Sequence, residues 1–259
     1  KGRLMNNYLN TLNPRQREAV ETVKGPVLIM AGAGSGKTKA LTCRIAYMLE
    51  QGIYPNEILA ITFTNKAAQE MRERVHNLVG PAADRIWMYT FHSFGARFLR
   101  REIAFYTPYT DRFTIYDSDD SKTLVKNCLK ELNLDDKQYQ PNAMQNRISS
   151  AKNQLIDPKK YRELAGSNFF NQKAADVYEL YDKHMKENNA LDFDDIIYFT
   201  LYILENFADA REHWQSEFDY IQVDEVQDCS NTDWELIDIL SEKSENLFIV
   251  GDPDQAIYE

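Results

Sequence analysis

The chain has 259 residues, of which 43% are apolar and 12% are aromatic, so it can form one large domain or two with a substantial core. It contains no uninterrupted apolar run of about 18 residues, which excludes a membrane-spanning helix, and no secretory signal is visible. The three cysteines match no zinc or redox spacing, so we expect free thiols in a reducing, cytoplasmic compartment.

Strands and helices alternate over roughly the first 105 residues. Short apolar runs bounded by polar or turn residues predict strands at Val27–Met30, Ile58–Thr62 and Ile86–Tyr89. Patterns of helical period follow these strands, at about Lys37–Gln51, Asn65–Leu78 and His92–Ala104. Such alternation is typical of a parallel sheet with helices on both faces.

The pattern changes to helical periodicity between Asp117 and Asn189, where no clear strand is visible. A cluster of N-capping residues, Asp117–Asp120, precedes an apolar stripe with a spacing of three to four, formed by Leu124, Val125, Cys128, Leu129 and Leu132. Strands return at Phe218–Val223 and Asn246–Val250. We therefore predict an α/β domain made of residues 1–108 and 191–259, with an all-helical domain, residues 109–190, inserted into it.

The glycine-rich run Ala31–Thr38 lies between the first predicted strand and the first predicted helix. In that context the backbone N–H groups of a loop can converge on a polyphosphate, here those of Ala33, Gly34, Ser35 and Gly36. Lys37 would add a charge at the β- and γ-phosphates, and the Thr38 hydroxyl would ligate Mg²⁺. A dinucleotide fingerprint fails, because its third glycine would fall on Lys37. The run predicts a nucleoside triphosphate site, although the strict pattern has glycine where this chain has Ala31.

Two adjacent carboxylates, Asp224 and Glu225, end the strand predicted at Phe218–Val223. Alone, such a pair usually begins a polar loop, but an ATPase needs carboxylates facing its phosphate loop. Asp224 can then hold Mg²⁺, and Glu225 can act as the general base that orients the attacking water. Gln255 follows the last predicted strand, where an amide can sense the γ-phosphate, or it can be an exposed turn residue.

Two further strand ends, Ile61–Lys66 and Thr90–Phe94, combine aromatic rings with hydroxyls. Hydroxyls and helix N-termini can bind phosphates, and an exposed ring can stack on a base, which contributes about 1–3 kcal/mol. This combination is typical of a site for single-stranded nucleic acid. The alternative is that the rings are core residues, and the local sequence places only Phe63 at the surface. The net charge of −10 does not argue against a nucleic-acid partner, because the charge is unevenly distributed along the chain. Residues 1–108 have a net charge of +7, and residues 192–259 have a net charge of −17.

These elements, in this order, resemble the superfamily 1 DNA helicases of the UvrD/Rep/PcrA type. Leu12–Val20 is similar to the family's adenine-reading segment, which implies that Gln16 recognises adenine. Ala31–Thr38 matches the family's phosphate loop, including alanine at its first position. The remaining matches are Ile61–Met71, Thr90–Gly95, Leu191–Asp195, Val223–Asp228 and Gly251–Tyr258. The resemblance, which runs from about residue 9 to the last residue, implies a RecA-like α/β domain (domain 1A) with the inserted helical domain 1B.

The resemblance also implies ATP and Mg²⁺ as cofactors, and single-stranded DNA and single-strand/duplex junctions as partners, alongside repair or replication proteins. ATP hydrolysis would use Lys37, Thr38, Asp224, Glu225 and Gln255. Contacts to the single strand would come from Phe63, His92 and Tyr258, with Thr64 and Asn65 close by. Ser150–Asn153 in the inserted domain is a further DNA-contact candidate, the alternative being a plain amphipathic helix. The expected location is the bacterial cytoplasm, at the nucleoid.

Three departures from the family pattern leave its chemistry intact, since Val226, Cys229-Ser230 and Ala256 replace no catalytic group. The sequence stops at Glu259, before the second RecA-like domain, whose arginines would contribute about 10³–10⁵ to kcat. We therefore expect the N-terminal motor portion of an ATP-dependent 3′→5′ DNA helicase, with weak ATP binding and little hydrolysis on its own. The alternatives are the motor of a helicase–nuclease subunit similar to AddA or RecB, and an ATP-dependent adaptor that does not translocate.

Overall fold

The computed structural model of the protein describes residues 6–32 and 36–253. Five residues with predicted roles, Ala33, Gly34, Ser35, Gln255 and Tyr258, lie outside the described residues. The chain divides into a first unit, Lys1–Phe94 with Phe207–Glu259, and a second unit, Gly95–Asn206. The limits predicted for the inserted domain, 109 and 190, fall within the second unit.

The secondary structure follows the predicted alternation. The strands are β1 (Val27–Met30), β2 (Ile58–Thr62), β3 (Trp87–Thr90), β4 (Thr114–Tyr116), β5 (Ala190–Asp192), β6 (Tyr220–Val223) and β7 (Leu247–Gly251). The α-helices are α1 (Pro14–Glu21), α2 (Lys37–Glu50), α3 (Asn65–Val79), α4 (Phe91–Tyr106), α5 (Ser118–Glu131), α6 (Pro141–Asn153), α7 (Pro158–Ala165), α8 (Phe169–Glu187), α9 (Phe193–Asn206), α10 (Ala208–Glu217) and α11 (Asn231–Ser241). Short 3₁₀ helices lie at Asn6–Thr11, Pro55–Glu57, Gly80–Arg85 and Val226–Asp228.

The first unit is built on a five-stranded parallel sheet with the strand order β1–β7–β6–β2–β3. Every residue of β2 is buried, whereas β1, at one end of this order, alternates between half-buried and exposed residues. Side chains of α2 and α3 pack with those of β2 and β7 in one apolar cluster, and α11 packs against β6. The prediction of a parallel α/β fold is confirmed.

The predicted strands all form, with small shifts in their limits. β1 and β2 have the predicted limits, while β3 and β7 are displaced by one residue. β6 begins at Tyr220 and not at Phe218, and the Phe218 ring is buried in an aromatic cluster with Trp87, Phe94 and Trp214. The apolar character of Phe218 thus serves the core and not the strand ladder.

The second unit is helical except for a parallel pair formed by β4 and β5, so the inserted segment 109–190, predicted as all-helical, contains the strand β4. All residues from 117 to 189 are described and none forms a strand, as predicted, so the pair brackets the helical segment at its two ends. Asp117 caps α5 through a reciprocal pair of hydrogen bonds with Asp120. Of the predicted apolar stripe, the residues in the core are Val125, Cys128 and Leu129, and those packed against it are Leu124 and Leu132.

The three cysteines are free thiols: Cys43 and Cys128 are buried, and Cys229 is half-buried. Within the described ranges, no helix is both long enough and apolar enough to cross a bilayer.

Candidate functional site

Parallel pairing brings the carboxyl ends of the five strands to one edge of the sheet. Met30 pairs with Gly251, and Thr62 pairs with Thr90. The loops leaving this edge are tied to it, since the Ala31 N–H donates to the Gly251 carbonyl at 3.0 Å and the Asp224 N–H donates to the Ile61 carbonyl at 3.0 Å. Apart from Gln16, the described residues with predicted nucleotide or DNA roles therefore follow strands that end at one edge, where parallel α/β sheets bind ligands.

The phosphate loop is described from Gly36 onward, where it turns into α2. Gly36 has φ +82°, a left-handed conformation that favours glycine, and a Cβ there would lie 2.9 Å from Nε2 of Gln16. Lys37 and Thr38 occupy the first turn of α2, and both are half-buried. A helix N-terminus offers unpaired N–H groups and a partial positive charge, so this turn can receive a phosphate.

Gln16 lies in the first turn of α1, beside the start of α2. Its backbone N–H donates to Oδ1 of the N-cap Asn13 at 2.8 Å, and its side-chain Oε1 accepts from the Asn13 N–H at 3.0 Å. This reciprocal cap fixes the direction of the Gln16 side chain, whose amide nitrogen lies over Gly36. The fold thus brings the predicted adenine reader next to the predicted phosphate loop.

Asp224 and Glu225 leave the end of β6 on the same edge. Asp224 is buried, and burial together with the charge of Glu225 raises the pKa of Asp224 to about 6, while Lys37 and Arg74 act in the opposite direction. Lys37 follows β1 and Asp224 follows β6, so the predicted phosphate-binding ammonium and the predicted metal ligand both come after the carboxyl ends of strands of one parallel sheet.

Glu225 has an unusual backbone conformation. Its φ of +54° and ψ of +44° lie in the left-handed region, which costs a non-glycine residue free energy and is common at functional sites. Its N–H donates to Oδ1 of Asp224 at 2.8 Å, so the backbone of Glu225 orients the Asp224 carboxylate.

Gln227 is a site residue that sequence reasoning missed. Its amide N–H donates to Oε2 of Glu225, and its Oε1 accepts from the Asp252 N–H at 2.9 Å. The only sequence signal for Gln227 was its place inside the segment Val223–Asp228. Gln255, the predicted phosphate sensor, lies outside the described residues, but Asp252 and Pro253 before it are described.

The set of oxygen ligands suits Mg²⁺ bound together with a nucleotide. Among the residues that the structure describes, no group of three or more His, Cys, Asp or Glu side chains could hold a metal. Mg²⁺, however, is usually bound by one or two carboxylates plus substrate phosphates, and it prefers oxygen ligands. The Thr38 hydroxyl, in the first turn of α2, and the Asp224 carboxylate, after β6, are oxygen ligands of the kind that this requirement calls for.

The predicted DNA residues lie at the ends of β2 and β3, which are adjacent strands. The ring of Phe63 is half-buried, with its centroid 5.1 Å from that of Phe91, and Phe91 and Phe94 are buried. Thr64 caps α3 by accepting from the Ala67 N–H at 3.0 Å. Thr64, Asn65 and His92 are exposed, so this strand-end surface is open to a ligand.

The candidate DNA-contact segment Ser150–Asn153 requires a correction. Lys152, its one cationic residue, is 4% exposed and forms ion pairs with Asp192 at 2.7 Å and with Asp195 at 2.8 Å. Burial lowers the pKa of Lys152, but the two carboxylates outweigh it and raise the pKa well above its ordinary value. The segment is the end of an amphipathic helix whose lysine faces the core, so Lys152 is not available to phosphates.

A family model described as the UvrD/REP helicase N-terminal domain matches residues 12–259. The chain is 47% identical over 262 residues to the ATP-dependent DNA helicase PcrA of Bacillus subtilis (strain 168), a match that covers 98% of this chain and 34% of that protein. It is 47% identical over 255 residues to the ATP-dependent DNA helicase PcrA of Staphylococcus aureus (strain Mu50), covering 98% of this chain and 35% of that protein. The chain thus spans about a third of the length of these relatives.

Proposed function

The chain belongs to the UvrD/REP helicase family, and on that basis we propose that it is the ATP- and DNA-binding N-terminal motor portion of a 3′→5′ DNA helicase. The observation that carries the proposal is the placement of Lys37, at the start of α2, and of Asp224 and Glu225, at the end of β6, on the side of one parallel sheet where its strands end. A lysine at a helix N-terminus opposite a carboxylate pair is the arrangement that P-loop NTPases use for phosphoryl transfer.

Each residue of this arrangement has a proposed role in ATP hydrolysis. The Lys37 ammonium neutralises phosphate charge, and the N–H groups at the start of α2 orient the phosphates. Thr38 and Asp224 hold Mg²⁺, which neutralises charge developing on the phosphate oxygens when it is bound. Glu225 accepts a hydrogen bond from the attacking water and takes its proton, a role worth about 10²–10⁴ in rate. Gln16 recognises the adenine edge, and Gln255 senses the γ-phosphate.

Single-stranded DNA is the proposed macromolecular substrate. The support comes from the strand-end surface, where the half-buried ring of Phe63 and the exposed His92 flank the N-termini of α3 and α4. Rings stack on bases without sequence preference, and helix N-termini with Thr64 and Asn65 can contact phosphates. Tyr258 is proposed as a further contact. We extend the proposal to single-strand/duplex junctions, with residues 109–190 as the part that grips duplex; repair and replication proteins are the proposed partners.

Nucleotide binding and hydrolysis by single-residue variants test the proposal. Lys37→Ala should weaken ATP binding at least tenfold, whereas Glu225→Gln should bind ATP normally and hydrolyse it at least 100-fold more slowly, within the range for loss of a general base. Binding is measured with the 259-residue chain, and hydrolysis, with and without a single-stranded oligonucleotide, with the complete gene product. Glu212→Gln, an exposed glutamate on α10, is the matched control. Hydrolysis by Glu225→Gln at the wild-type rate would contradict the assignment of the base.

A further inference from the structure

The side chain of Gln227 joins the segment that follows β6 to the segment that ends β7. Its amide N–H donates to Oε2 of Glu225, while its carbonyl Oε1 accepts from the backbone N–H of Asp252 at 2.9 Å. Gln227 is 8% exposed and Asp252 is 5% exposed, so the hydrogen bond between them is buried, while the one to the half-buried Glu225 is partly buried. A primary amide is the neutral side-chain group that can donate at one end and accept at the other, and this link requires both.

The end of β7 is shaped around this amide. Gly251 packs so closely that a Cβ on it would lie 2.6 Å from Cγ2 of Val226 and 3.1 Å from Oε1 of Gln227. Its φ is not in the left-handed region, so close approach, and not backbone conformation, makes glycine necessary there. The position of the Gln227 amide is therefore set from two sides, by the backbone of residues 251–252 and by the Glu225 carboxylate.

Glu225 depends on such a contact because its own backbone is strained. A residue at φ +54° stays in place only when its surroundings hold it, and a glutamate side chain has rotamers that aim its carboxylate elsewhere. The Gln227 amide binds one carboxylate oxygen, Oε2, and thereby fixes the direction of the other. A base that must meet a water in a fixed position gains rate from that alignment.

We propose that Gln227 is a positioning residue that holds Glu225 in its working orientation and makes that orientation depend on the backbone at Asp252. The proposal rests on the role of Glu225 as general base. It adds that the segment Gly251–Pro253, which leads in sequence toward Gln255, is linked to the base through one side chain. A shift of this segment would release the carboxylate.

Two glutamines of equal burial provide a matched comparison. Gln215 is also 8% exposed, and its amide donates to the Ile239 carbonyl at 2.8 Å and to Glu242 at 3.2 Å, within the helical pair α10 and α11. Gln227→Met should lower kcat for ATP about 10- to 100-fold, the cost of misplacing a reacting group, with KM for ATP changed less than about threefold. Gln215→Met removes comparable hydrogen bonds and should leave both constants within about twofold.

Two further variants separate the halves of the link. Gln227→Glu keeps an acceptor for the Asp252 N–H but places a carboxylate against Glu225, so kcat should fall while the Asp252 amide remains protected from hydrogen exchange. Gly251→Ala leaves every hydrogen-bonding group in place but displaces the amide, and it should lower kcat as Gln227→Met does. Gln227→Met, unlike Gln215→Met, should accelerate hydrogen exchange at Asp252, a readout that does not depend on activity.

Different results would contradict the positioning role of Gln227 and the proposed function. A kcat for Gln227→Met within twofold of wild type, unaltered exchange at Asp252, or an equal loss of kcat in Gln215→Met would overturn the positioning role. If Glu225→Gln hydrolyses ATP at the wild-type rate, the proposed function fails instead, and exchange at Asp252 still reports whether Gln227 holds this segment.

Discussion

Replacing Lys152 by methionine should strongly destabilise the second unit. The ammonium contacts Asp192 at 2.7 Å and Asp195 at 2.8 Å, and the Tyr181 hydroxyl donates to Asp192 at 2.7 Å. Methionine matches the volume of the lysine but leaves two buried carboxylates without a counter-charge. Removing one partner of a buried ion pair costs about 3–5 kcal/mol, because the remaining charge stays desolvated.

The loss should depend on pH in a defined direction. In the wild-type protein, burial and the charge of Asp192 already raise the pKa of Asp195 to about 7, against the opposing effect of Lys152. Without the ammonium, the pKa values of the carboxyl groups rise further, so the folded variant binds protons that the unfolded chain releases. Its stability is therefore greatest below the ordinary aspartate pKa of about 4 and falls as pH rises through the folded-state pKa.

Amide hydrogen exchange in α6 and α8 is the suitable assay, because all three tryptophans, Trp87, Trp214 and Trp234, lie in the first unit. A loss of 3–5 kcal/mol corresponds to exchange about two to four orders of magnitude faster for amides that exchange by opening of the unit. Lys183→Met, at a side chain 69% exposed, is the control and should change little. A loss in Lys152→Met below about 1 kcal/mol, or one equal at pH 5.5 and pH 8, would refute the reasoning.

Three further changes test other parts of the molecule. Gly36→Ala should weaken ATP binding at least tenfold and lower the free energy of unfolding by about 1–2 kcal/mol, because φ is +82° and the new Cβ would meet the Gln16 amide. Titration with a fluorescent ATP analogue measures the binding, and urea unfolding measures the stability. Arg44→Met should cost about 2 kcal/mol or more, because it leaves the buried Gln222 acceptor and two partly buried carbonyls without their donor, and urea unfolding followed by tryptophan fluorescence measures it. At His184 a hydrogen bond to Glu131 raises the pKa, so its stabilisation is full below the unfolded pKa of about 6.5 and is lost as pH rises through the folded pKa. His184→Gln should abolish this dependence, worth at most about 1 kcal/mol for an exposed pair, in amide hydrogen exchange of α8 between pH 5.5 and pH 8.5.

The elements that sequence predicts best are those whose signal is local. β1 and β2 were predicted to the residue because each is a short apolar run with polar or turn residues on both sides. The capping hydrogen bonds between Asp117 and Asp120 can be predicted equally well from the sequence, because the two residues lie within one helical turn of each other. Lys152 shows the opposite case: its partners are about 40 residues away in sequence, and a lysine on a helix ordinarily faces water.

The candidate site divides in the same way. The placement of Lys37 at the start of the helix after β1 and of Asp224 directly after β6 could be predicted, because phosphate and metal chemistry restricts the residue types at a strand end. Gln227 could not, because its role comes from two hydrogen bonds to atoms that the fold brings together, one of them a backbone N–H 25 residues away. A side chain that positions another by contact with backbone leaves no pattern of charge or spacing to recognise.

In the first unit, polar contacts hold some parts of the proposed ATP site more firmly than others. Arg44 on α2 donates to the Thr22 and Val23 carbonyls at 2.9 Å and to Gln222 of β6 at 3.2 Å, with the Phe248 ring 4.4 Å from its guanidinium. This buried cation therefore ties together the helix that begins with Lys37, the strand that ends before Asp224, and the loop after the helix that carries Gln16.

Glu225 is held differently. Its backbone is strained, and the amide of Gln227 links its carboxylate to the end of β7. A site built in this way would keep the proposed nucleotide contacts fixed, while the proposed base could be aligned or released by a small movement of one segment. Binding and hydrolysis should then respond separately to substitution: Arg44→Met should weaken ATP binding together with stability, whereas Gln227→Met should slow hydrolysis alone. That separation is what a motor needs if it is to bind ATP before it is ready to hydrolyse it.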